Sequence, residues 1–385
     1  MTHKLTPLLA ALALALPAAG AAQVKVGFIN TMTGAEAPIG ENLTNGVEMA
    51  VEDLAKAGVK ISLLKQDDAG KPERAMRAMV QLATADEVAA VVGPYTSGSA
   101  GAVAKLAEQY KVPQIIPAAA KEDITRQGYR YVFRLNAPAH QYAQSLLDAA
   151  LSFGKPKTIA FIYESTDFGS SVAAAGKEYA RRKGLKIVAD ESYEKGAVDY
   201  RWEDRRARMA ASKPDLVFMV SYVADAIQLM RQSRQVGLKP QAFLGGGAGF
   251  DTAQFQDQQE ISANVFSVTQ WTPESSPGAT EFAERYRAKY GKKPTYHAAC
   301  AYSAMMIAGE VASKAGGDRE KIRAALVAGS WSGIMGDVKF DDHEGFTNQN
   351  KLVMPVIQYQ RGKPETVYPP RAAKKKPVFP FPGWN

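Results

Sequence analysis

The stretch Val91-Val92-Gly93-Pro94-Tyr95-Thr96-Ser97-Gly98-Ser99-Ala100 carries the pattern from which the fold is predicted. Residues 87–92 form a short apolar run with little alternation, which is typical of a strand buried on both faces. Gly93-Pro94 ends this strand, and the hydroxyl residues after it are types that cap helices. Residues 102–110 then predict a helix and residues 111–117 predict the next strand. The stretch is therefore the centre of a βαβ unit with a hydroxyl-rich turn.

This turn is the first candidate for a binding site. The start of a helix leaves backbone N–H groups unpaired beside the positive end of the helix dipole. A carboxylate binds at such a point at little cost, and ligands of open α/β sheets collect at the carboxyl ends of strands. The alternative is that Thr96, Ser97 and Ser99 only cap the helix, and the stretch alone does not separate the two interpretations.

The first 22 residues predict a secretory signal peptide. An apolar core, Leu8 to Leu16, is followed by small residues, and the pattern places cleavage before Gln23. A buried N-terminal helix is the alternative, but the small-residue tail suits export better. Because no cysteine follows the apolar core, we expect no lipid anchor, and we find no second apolar run long enough to span a bilayer. We therefore expect the mature chain in the periplasm.

Composition and charge exclude several classes of protein. A chain of 385 residues exceeds one typical domain, and 46% hydrophobic with 22% charged residues is ordinary for a soluble globular protein. Cys300 is the single cysteine, so no internal disulfide can form, and its apolar surroundings predict a buried, inert thiol. The net charge of +8 is not accompanied by basic residues interleaved with stacking aromatics. We predict no nucleic-acid partner and a weak preference for anionic solutes.

Strands and helices alternate along most of the chain, which predicts an α/β fold with mostly parallel sheets. The alternation begins at Val24, pauses at Asn136-Ala137-Pro138 and then restarts. Two similar runs in tandem predict two lobes that face each other across a cleft.

Sequence patterns of catalysis are missing, so we predict a protein that is not an enzyme and has no cofactor or metal. The stretch Gly329-Ser330-Trp331-Ser332-Gly333 has Trp where a nucleophilic Ser would stand. The glycine run at 245–249 fails the dinucleotide fingerprint because Phe250 occupies the third glycine position. His297 and Cys300 have the spacing of metal ligands but no partner ligands, and packing in a helix explains them better.

The chain resembles the type I periplasmic binding proteins of ABC importers, in the leucine/isoleucine/valine-binding branch. The resemblance runs from about Val24 to Arg361, and six short motifs carry it in order. The motifs are first Thr33-Gly34 with Gly40, second Asn45-Gly46, third Asp67-Asp68-Ala69-Gly70-Lys71-Pro72, fourth Gly93 to Gly98, fifth Ile116-Pro117-Ala118-Ala119-Ala120, and sixth Tyr163 to Gly169.

The resemblance implies two Rossmann-like lobes joined by three hinge crossovers, with the ligand between them. We expect the crossovers near Asn136, Gln270 and Thr347. The first lobe would comprise residues 24–136 and 271–346, and the second lobe residues 137–270 and 347–385. Hinge motion of the lobes would enclose the ligand.

The resemblance also implies the residues of the site. The ligand carboxylate would be held by Ser97, beside Gly98, and by the loop Ala118-Ala119-Ala120, which lacks the Thr that amino-acid binders place at position 120. Phe168 and Tyr222 match aromatic positions of the second lobe. Gly247 stands where amino-acid binders carry a carboxylate for the ligand's ammonium, and a glycine there would also make room for a bulkier ligand. An apolar or aromatic pocket would be lined by Ile39, Tyr95, Phe168, Tyr222 and Trp271.

These residues predict the ligand class. Without a carboxylate at position 247, a buried ammonium would lack its partner, which costs several kcal/mol. We expect a monomer that binds a small carboxylate with an apolar or aromatic body, such as a benzoate or phenylpropanoid acid, and delivers it to an ABC permease. Because Asp225 or Glu164 could replace the missing acid, a branched-chain or other hydrophobic amino acid remains an alternative. A sensor lobe that serves a separate signalling partner is a second alternative.

Overall fold

Two seven-stranded sheets organise the chain, and the computed structural model describes residues 23–197 and 211–384. The strands are β1 (Val24–Asn30), β2 (Ile61–Asp67), β3 (Ala90–Val92), β4 (Gln114–Ile116), β5 (Val132–Arg134), β6 (Thr158–Glu164), β7 (Lys186–Tyr193), β8 (Leu216–Val220), β9 (Ala242–Gly245), β10 (Phe266–Val268), β11 (Trp331–Gly333), β12 (Gly336–Val338), β13 (Asp341–His343), β14 (Phe346–Gln349), β15 (Val356–Gln360) and β16 (Lys363–Tyr368).

Helices cover the faces of both sheets. They are α1 (Ala37–Lys56), α2 (Pro72–Thr84), α3 (Ser97–Gln109), α4 (Ala139–Phe153), α5 (Asp167–Arg182), α6 (Val223–Gln235), α7 (Ala253–Gln256), α8 (Gln259–Ser262), α9 (Ala279–Tyr290), α10 (Tyr296–Lys314) and α11 (Arg319–Ala328). Short 3₁₀ turns add Glu122–Thr125 and Ala248–Phe250.

The strand order confirms the α/β fold with mostly parallel sheets. The first sheet runs β13-β14-β5-β4-β3-β1-β2 and the second runs β16-β15-β10-β9-β8-β6-β7. Antiparallel pairing is found at one edge of each sheet, between β13 and β14 and among β10, β15 and β16. The order reverses between β1 and β3 in the first sheet and between β6 and β8 in the second. In open α/β sheets such a reversal leaves a crevice where ligands bind.

The chain passes between the two sheets three times. The first two passages follow β5 and β10, where the sequence predicts crossovers near Asn136 and Gln270. The third follows β14, which pairs with β5 of the first sheet, so Thr347 lies within a strand of the first lobe rather than at the passage itself. The chain returns to the second sheet after Gln349.

Side-chain amides hold these passages together. The Asn136 amide donates to the Ala119 carbonyl at 3.0 Å, and the Ala137 N–H donates to the Gln270 side chain at 2.9 Å. The Gln349 amide donates to the Asn136 carbonyl at 2.8 Å. All three amide side chains are buried, so each bond is made where an unpaired amide would be costly.

Several elements differ from the sequence prediction. The loop predicted around Pro38 and Gly40 is the first turn of α1, because proline is tolerated there and a Cβ at Gly40 would overlap the Thr31 carbonyl oxygen. The small strands β11 to β14 carry no clear alternation and were not expected. The signal peptide and most of the helix expected at Trp202 to Ala211 lie outside the described residues.

The C-terminal segment packs on the second lobe. Phe381 and Trp384 contact the Phe243 ring, each with a centroid distance of 5.2 Å. The Trp384 indole donates to the Leu238 carbonyl at 2.7 Å. Among the described residues, no helix combines the length and apolar character that a membrane crossing requires.

Helix α1 packs against α10 through a glycine, which gives a test of this packing. A Cβ on Gly46 would overlap the Ala298 carbonyl oxygen, whereas a Cβ on Gly101 in α3 would meet its nearest neighbour, Ile124, at 4.0 Å. Gly46→Ala should lower the free energy of unfolding by at least about 2 kcal/mol through overpacking. Gly101→Ala should leave it equal or raise it by up to about 1 kcal/mol through helix propensity. Denaturant titration measures both, and equal values for the two variants would contradict this account of the helix contact.

Candidate functional site

Three aromatic side chains meet where the reversal points of the two sheets face each other. Tyr95 follows β3 of the first lobe, Phe168 lies in the first turn of α5, and Tyr222 follows β8 of the second lobe. The ring centroids of Tyr95 and Tyr222 are 6.0 Å apart, and those of Phe168 and Tyr222 are 5.6 Å apart. All three side chains are buried. The structure thus brings together Tyr95, Phe168 and Tyr222, which we call the cleft aromatics.

Sequence reasoning missed further residues that contact the cleft aromatics. His297 lies 5.5 Å from Tyr95, and Tyr142 lies 6.3 Å from Phe168, measured between ring centroids. Burial lowers the pKa of His297 to about 3, so its imidazole is neutral. His297 Nε2 and the Tyr95 hydroxyl are buried without a hydrogen-bond partner among the described residues. Such groups are commonly satisfied by a ligand or by water.

The hydroxyl turn forms the other end of the site. Thr96 is the N-cap of α3, and its hydroxyl accepts from the Ser99 N–H at 3.3 Å. The Ser97 hydroxyl accepts from the N–H groups of Ala120 and Lys121, both at 3.2 Å. The structure therefore joins the predicted Ser97 to the predicted loop Ala118 to Ala120. Accepting these bonds leaves the Ser97 hydrogen available to donate to an anion.

Arg134 fixes this loop, and sequence reasoning missed it. Its guanidinium is fully buried and donates to the Lys121 carbonyl at 2.7 Å and to the Ala119 carbonyl at 3.4 Å. It also donates to the Gln349 side chain. Burial lowers the pKa of Arg134 to about 10, which leaves the group charged near neutral pH. An arginine in an otherwise apolar strand was the available signal.

Gly247 does not make room for a bulky ligand. Its φ of +75° favours glycine, and a Cβ there would lie 2.8 Å from the Tyr142 ring. The space above Gly247 is therefore filled by a tyrosine of the second lobe, not left for a bulky ligand. The neighbouring Gly249 is equally constrained, because a Cβ would overlap the Tyr222 backbone.

The remaining predicted residues occupy different places. Ile39 is buried in the first turn of α1. Gly98 lies where the lobes meet, since a Cβ there would be 3.7 Å from a carboxylate oxygen of Asp167. The Trp271 indole donates to the Ile334 carbonyl at 2.9 Å, and its ring contacts Phe282 of α9 at 5.8 Å. Trp271 thus packs against the first lobe rather than against the rings of the cleft aromatics.

Polar contacts join the lobes across the cleft. The Lys195 ammonium lies 2.7 Å from the Glu36 carboxylate and 5.3 Å from the centroid of the Tyr222 ring. The Lys121 ammonium lies 3.2 Å from the Asp167 carboxylate. Each ion pair has one member in each lobe, so the lobes are in contact around the site.

Glu164 is a buried acid that forms no ion pair with any of the described residues. Its carboxylate accepts from the Thr166 hydroxyl at 2.6 Å and from the Tyr222 N–H at 3.1 Å. Burial raises its pKa to about 8, although these two hydrogen bonds oppose the shift. Glu164 is therefore mostly protonated at neutral pH and positions the Tyr222 backbone. Within the described ranges, no group of three or more His, Cys, Asp or Glu residues could hold a metal ion.

Glu164 gives a pH-dependent test of stability. Between its ordinary pKa of 4.5 and about 8, the folded chain keeps a proton that the unfolded chain releases. The free energy of unfolding should therefore fall as pH rises through this window, with a contribution of up to about 1.4 kcal/mol per pH unit. Glu164→Gln should remove that contribution and flatten the profile measured by denaturant titration from pH 5 to pH 8. A variant profile parallel to the wild-type profile would contradict the protonated state.

Comparisons with known proteins identify the family of the chain. A family model described as "Periplasmic binding protein" matches residues 23–363. The Leu/Ile/Val-binding protein homolog 7 of Brucella suis is 31% identical over 398 aligned residues, which cover 97% of this chain and 98% of that protein.

Solved structures share the fold. The leucine-binding protein LivK of Thermotoga maritima superposes with a TM-score of 0.80 at 24% identity, covering 89% of this chain and 97% of that chain. A solute-binding protein of an ABC transporter from R. palustris, in complex with benzoate, superposes with a TM-score of 0.78 at 22% identity, covering 90% and 95%. The full-length match to the family model and to the Brucella protein shows that the chain belongs to the periplasmic binding proteins, in their type I, Leu/Ile/Val-binding branch.

Proposed function

We propose that this chain is the solute-binding component of an ABC importer, that it captures a small carboxylate with an apolar or aromatic body, and that it delivers this solute to a permease. Such a protein works by reversible capture between its lobes and does no catalysis. The observation that carries the proposal is the position of the Ser97 hydroxyl, which begins α3 two residues after Tyr95 and keeps its own hydrogen free to donate.

The cleft aromatics support an apolar body for the solute. Tyr95 comes from one lobe and Phe168 and Tyr222 from the other, so a flat or branched group between them would contact both lobes. Aromatic walls supply a large apolar area and prefer offset or edge-on ring contacts. The unpaired Tyr95 hydroxyl and His297 Nε2 add neutral hydrogen-bonding groups beside these rings.

The anion end supports a carboxylate. The Ser97 hydroxyl and the Ala120 N–H lie within 3.2 Å of each other at the start of α3. The Ala120 N–H is already donated to the Ser97 oxygen, so a carboxylate beside Ser97 would accept the hydroxyl hydrogen of Ser97 and would face the positive end of the helix dipole. Ala120 carries no hydroxyl and its N–H is bonded to Ser97, so this end recognises charge through the Ser97 hydroxyl.

The acids around the cleft support a solute without an ammonium group. Glu164 is largely protonated, and both of its oxygens already accept hydrogen bonds. Glu36 is paired with Lys195, and Asp225 accepts from the Gly196 N–H at 3.0 Å. Gly247 offers no side chain. At Glu164, Glu36 or Asp225, a buried ammonium would have to displace an existing contact.

One observation favours the alternative of a hydrophobic amino acid. Asp68 is fully buried and contributes to the electrostatic field at Tyr222. One of its oxygens accepts from the Thr31 hydroxyl and the Gly70 N–H, both at 2.8 Å, while the other has no partner among the described residues. That free oxygen is the group that could receive a solute ammonium.

Calorimetric titration of the purified protein decides between the two ligand classes. We expect benzoate or 3-phenylpropanoate to bind at least tenfold more tightly than leucine or isoleucine. Asp68→Asn should leave the aryl-acid affinity within about twofold. Leucine binding tighter than every aryl acid, weakened by Asp68→Asn, would overturn the proposal in favour of amino-acid binding.

Ser97 and Ser99 form a matched pair for testing the anion end. Ser97→Ala removes the hydroxyl beside the Ala120 N–H and should weaken aryl-acid binding by ten- to a hundredfold, since hydrogen bonds to charged groups contribute about 1.5–3 kcal/mol. The Ser99 hydroxyl is buried and has no hydrogen-bond partner in the described part of the chain, so Ser99→Ala should leave affinity within twofold. The same titrations measure both variants, and equal effects would show that the Ser97 hydroxyl only holds the loop at Ala120 and Lys121.

A further inference from the structure

A second cavity, of about 500 Å³, lies between the lobes beside the passage that follows β10. The second lobe lines it with Asp251 and Tyr359, the first lobe with Arg287 and Tyr296, and the passage itself with Trp271. We call this space the side cavity. None of the cleft aromatics lines it, so it is separate from the site described above.

Buried aromatic side chains and the carboxylate of Asp251 line one part of the side cavity, which we call its floor. Trp271, Tyr296 and Tyr359 are among the lining residues, and because they are exposed by 3%, 2% and 1%, each presents only a small part of its ring to the cavity. Asp251 is half-buried and faces the cavity. It interacts with the Thr269 side chain, and it forms no ion pair with any residue of the described chain. Thr269 also lines the cavity.

The charge at this floor is uncompensated. Burial raises the pKa of Asp251 to about 7, and Asp251 in turn contributes to the raised pKa of Tyr296 and of Tyr359. A carboxylate in such surroundings is stabilised most by a cationic donor that pairs with it. The rim, formed by the exposed lining residues, holds four bases, Arg287, Lys293, Lys363 and Lys374, and none of them forms an ion pair with Asp251.

We propose that the side cavity is a second small-molecule site, which takes an organic ammonium compound with an aromatic or branched apolar body. The ammonium would pair with Asp251, and the body would lie against Trp271, Tyr296 and Tyr359. The volume and the mainly apolar walls with a few convergent polar groups are those of small-molecule sites, which often form between domains.

An occupant of the side cavity would act on the solute site through Tyr296. On its other side, the Tyr296 ring stacks on His297 at 3.9 Å, and its hydroxyl is hydrogen-bonded to that of Tyr142. Because the cavity walls come from both lobes, the occupant would stabilise the arrangement in which the lobes touch. We therefore expect it to raise the affinity for the cleft solute rather than to compete with it. This inference holds whichever solute the cleft binds.

Benzylamine is a suitable probe, with benzyl alcohol as its neutral counterpart. Titration of the purified protein at pH 8, followed by ligand-observed NMR and calorimetry, should give saturable benzylamine binding and at least tenfold weaker benzyl alcohol binding. Asp251→Asn should weaken benzylamine binding at least tenfold, whereas Glu284→Gln at the rim should change it by less than twofold. Ala253→Trp, at an exposed position of the lining, should block binding by filling the cavity.

Three results would overturn the proposal. They are the absence of saturable benzylamine binding to the wild-type protein, equal binding to the wild type and to Asp251→Asn, and displacement of benzylamine by saturating benzoate or leucine. The last result would place the amine in the cleft. Failure of the aryl-acid proposal would appear instead in the titrations without amine, so the two outcomes are distinguishable.

Discussion

The buried guanidinium of Arg134 is the constraint on which the site and the passages between the lobes depend. It forms no ion pair with a described carboxylate, so carbonyl oxygens must compensate its charge. These come from the loop at Ala119 and Lys121, with a further acceptor from Gln349 at the end of β14. One side chain thereby joins the binding loop to two of the three passages.

The geometry of the peptide bond carries this constraint into the cleft. In a trans peptide the carbonyl and the N–H point in opposite directions. When the Ala119 carbonyl faces Arg134, the Ala120 N–H must face away from it, towards Ser97. Likewise, the Lys121 carbonyl faces Arg134, and the Glu122 N–H donates to the Ser171 hydroxyl of the second lobe at 3.1 Å. The same cation orients the anion end and a contact between the lobes.

Local sequence patterns were sufficient to predict the features that depend on residues close together in the sequence. The βαβ unit, the cap at Thr96 and the position of Ser97 follow from residues close in sequence, and the structure shows each of them. Tyr142, His297 and Arg134 could not be found this way, because their neighbours in space are far away along the chain. Trp271 was assigned to the pocket from its aromatic character alone, and a tryptophan packed on a helix of its own lobe has the same local pattern.

The glycine at position 247 has a different structural cause from the one that the sequence suggests. The sequence places a glycine where related amino-acid binders carry a carboxylate, and the first explanation is room for a larger solute. In the structure the Tyr142 ring fills that room, and the Gln270 amide of the second passage donates to its hydroxyl at 2.7 Å. The side chain at position 247 is therefore limited by the packing of the passage between the lobes. The absence of an acid there still removes a partner for a solute ammonium. The reason for the glycine is the packing at the passage between the lobes and not the size of the ligand.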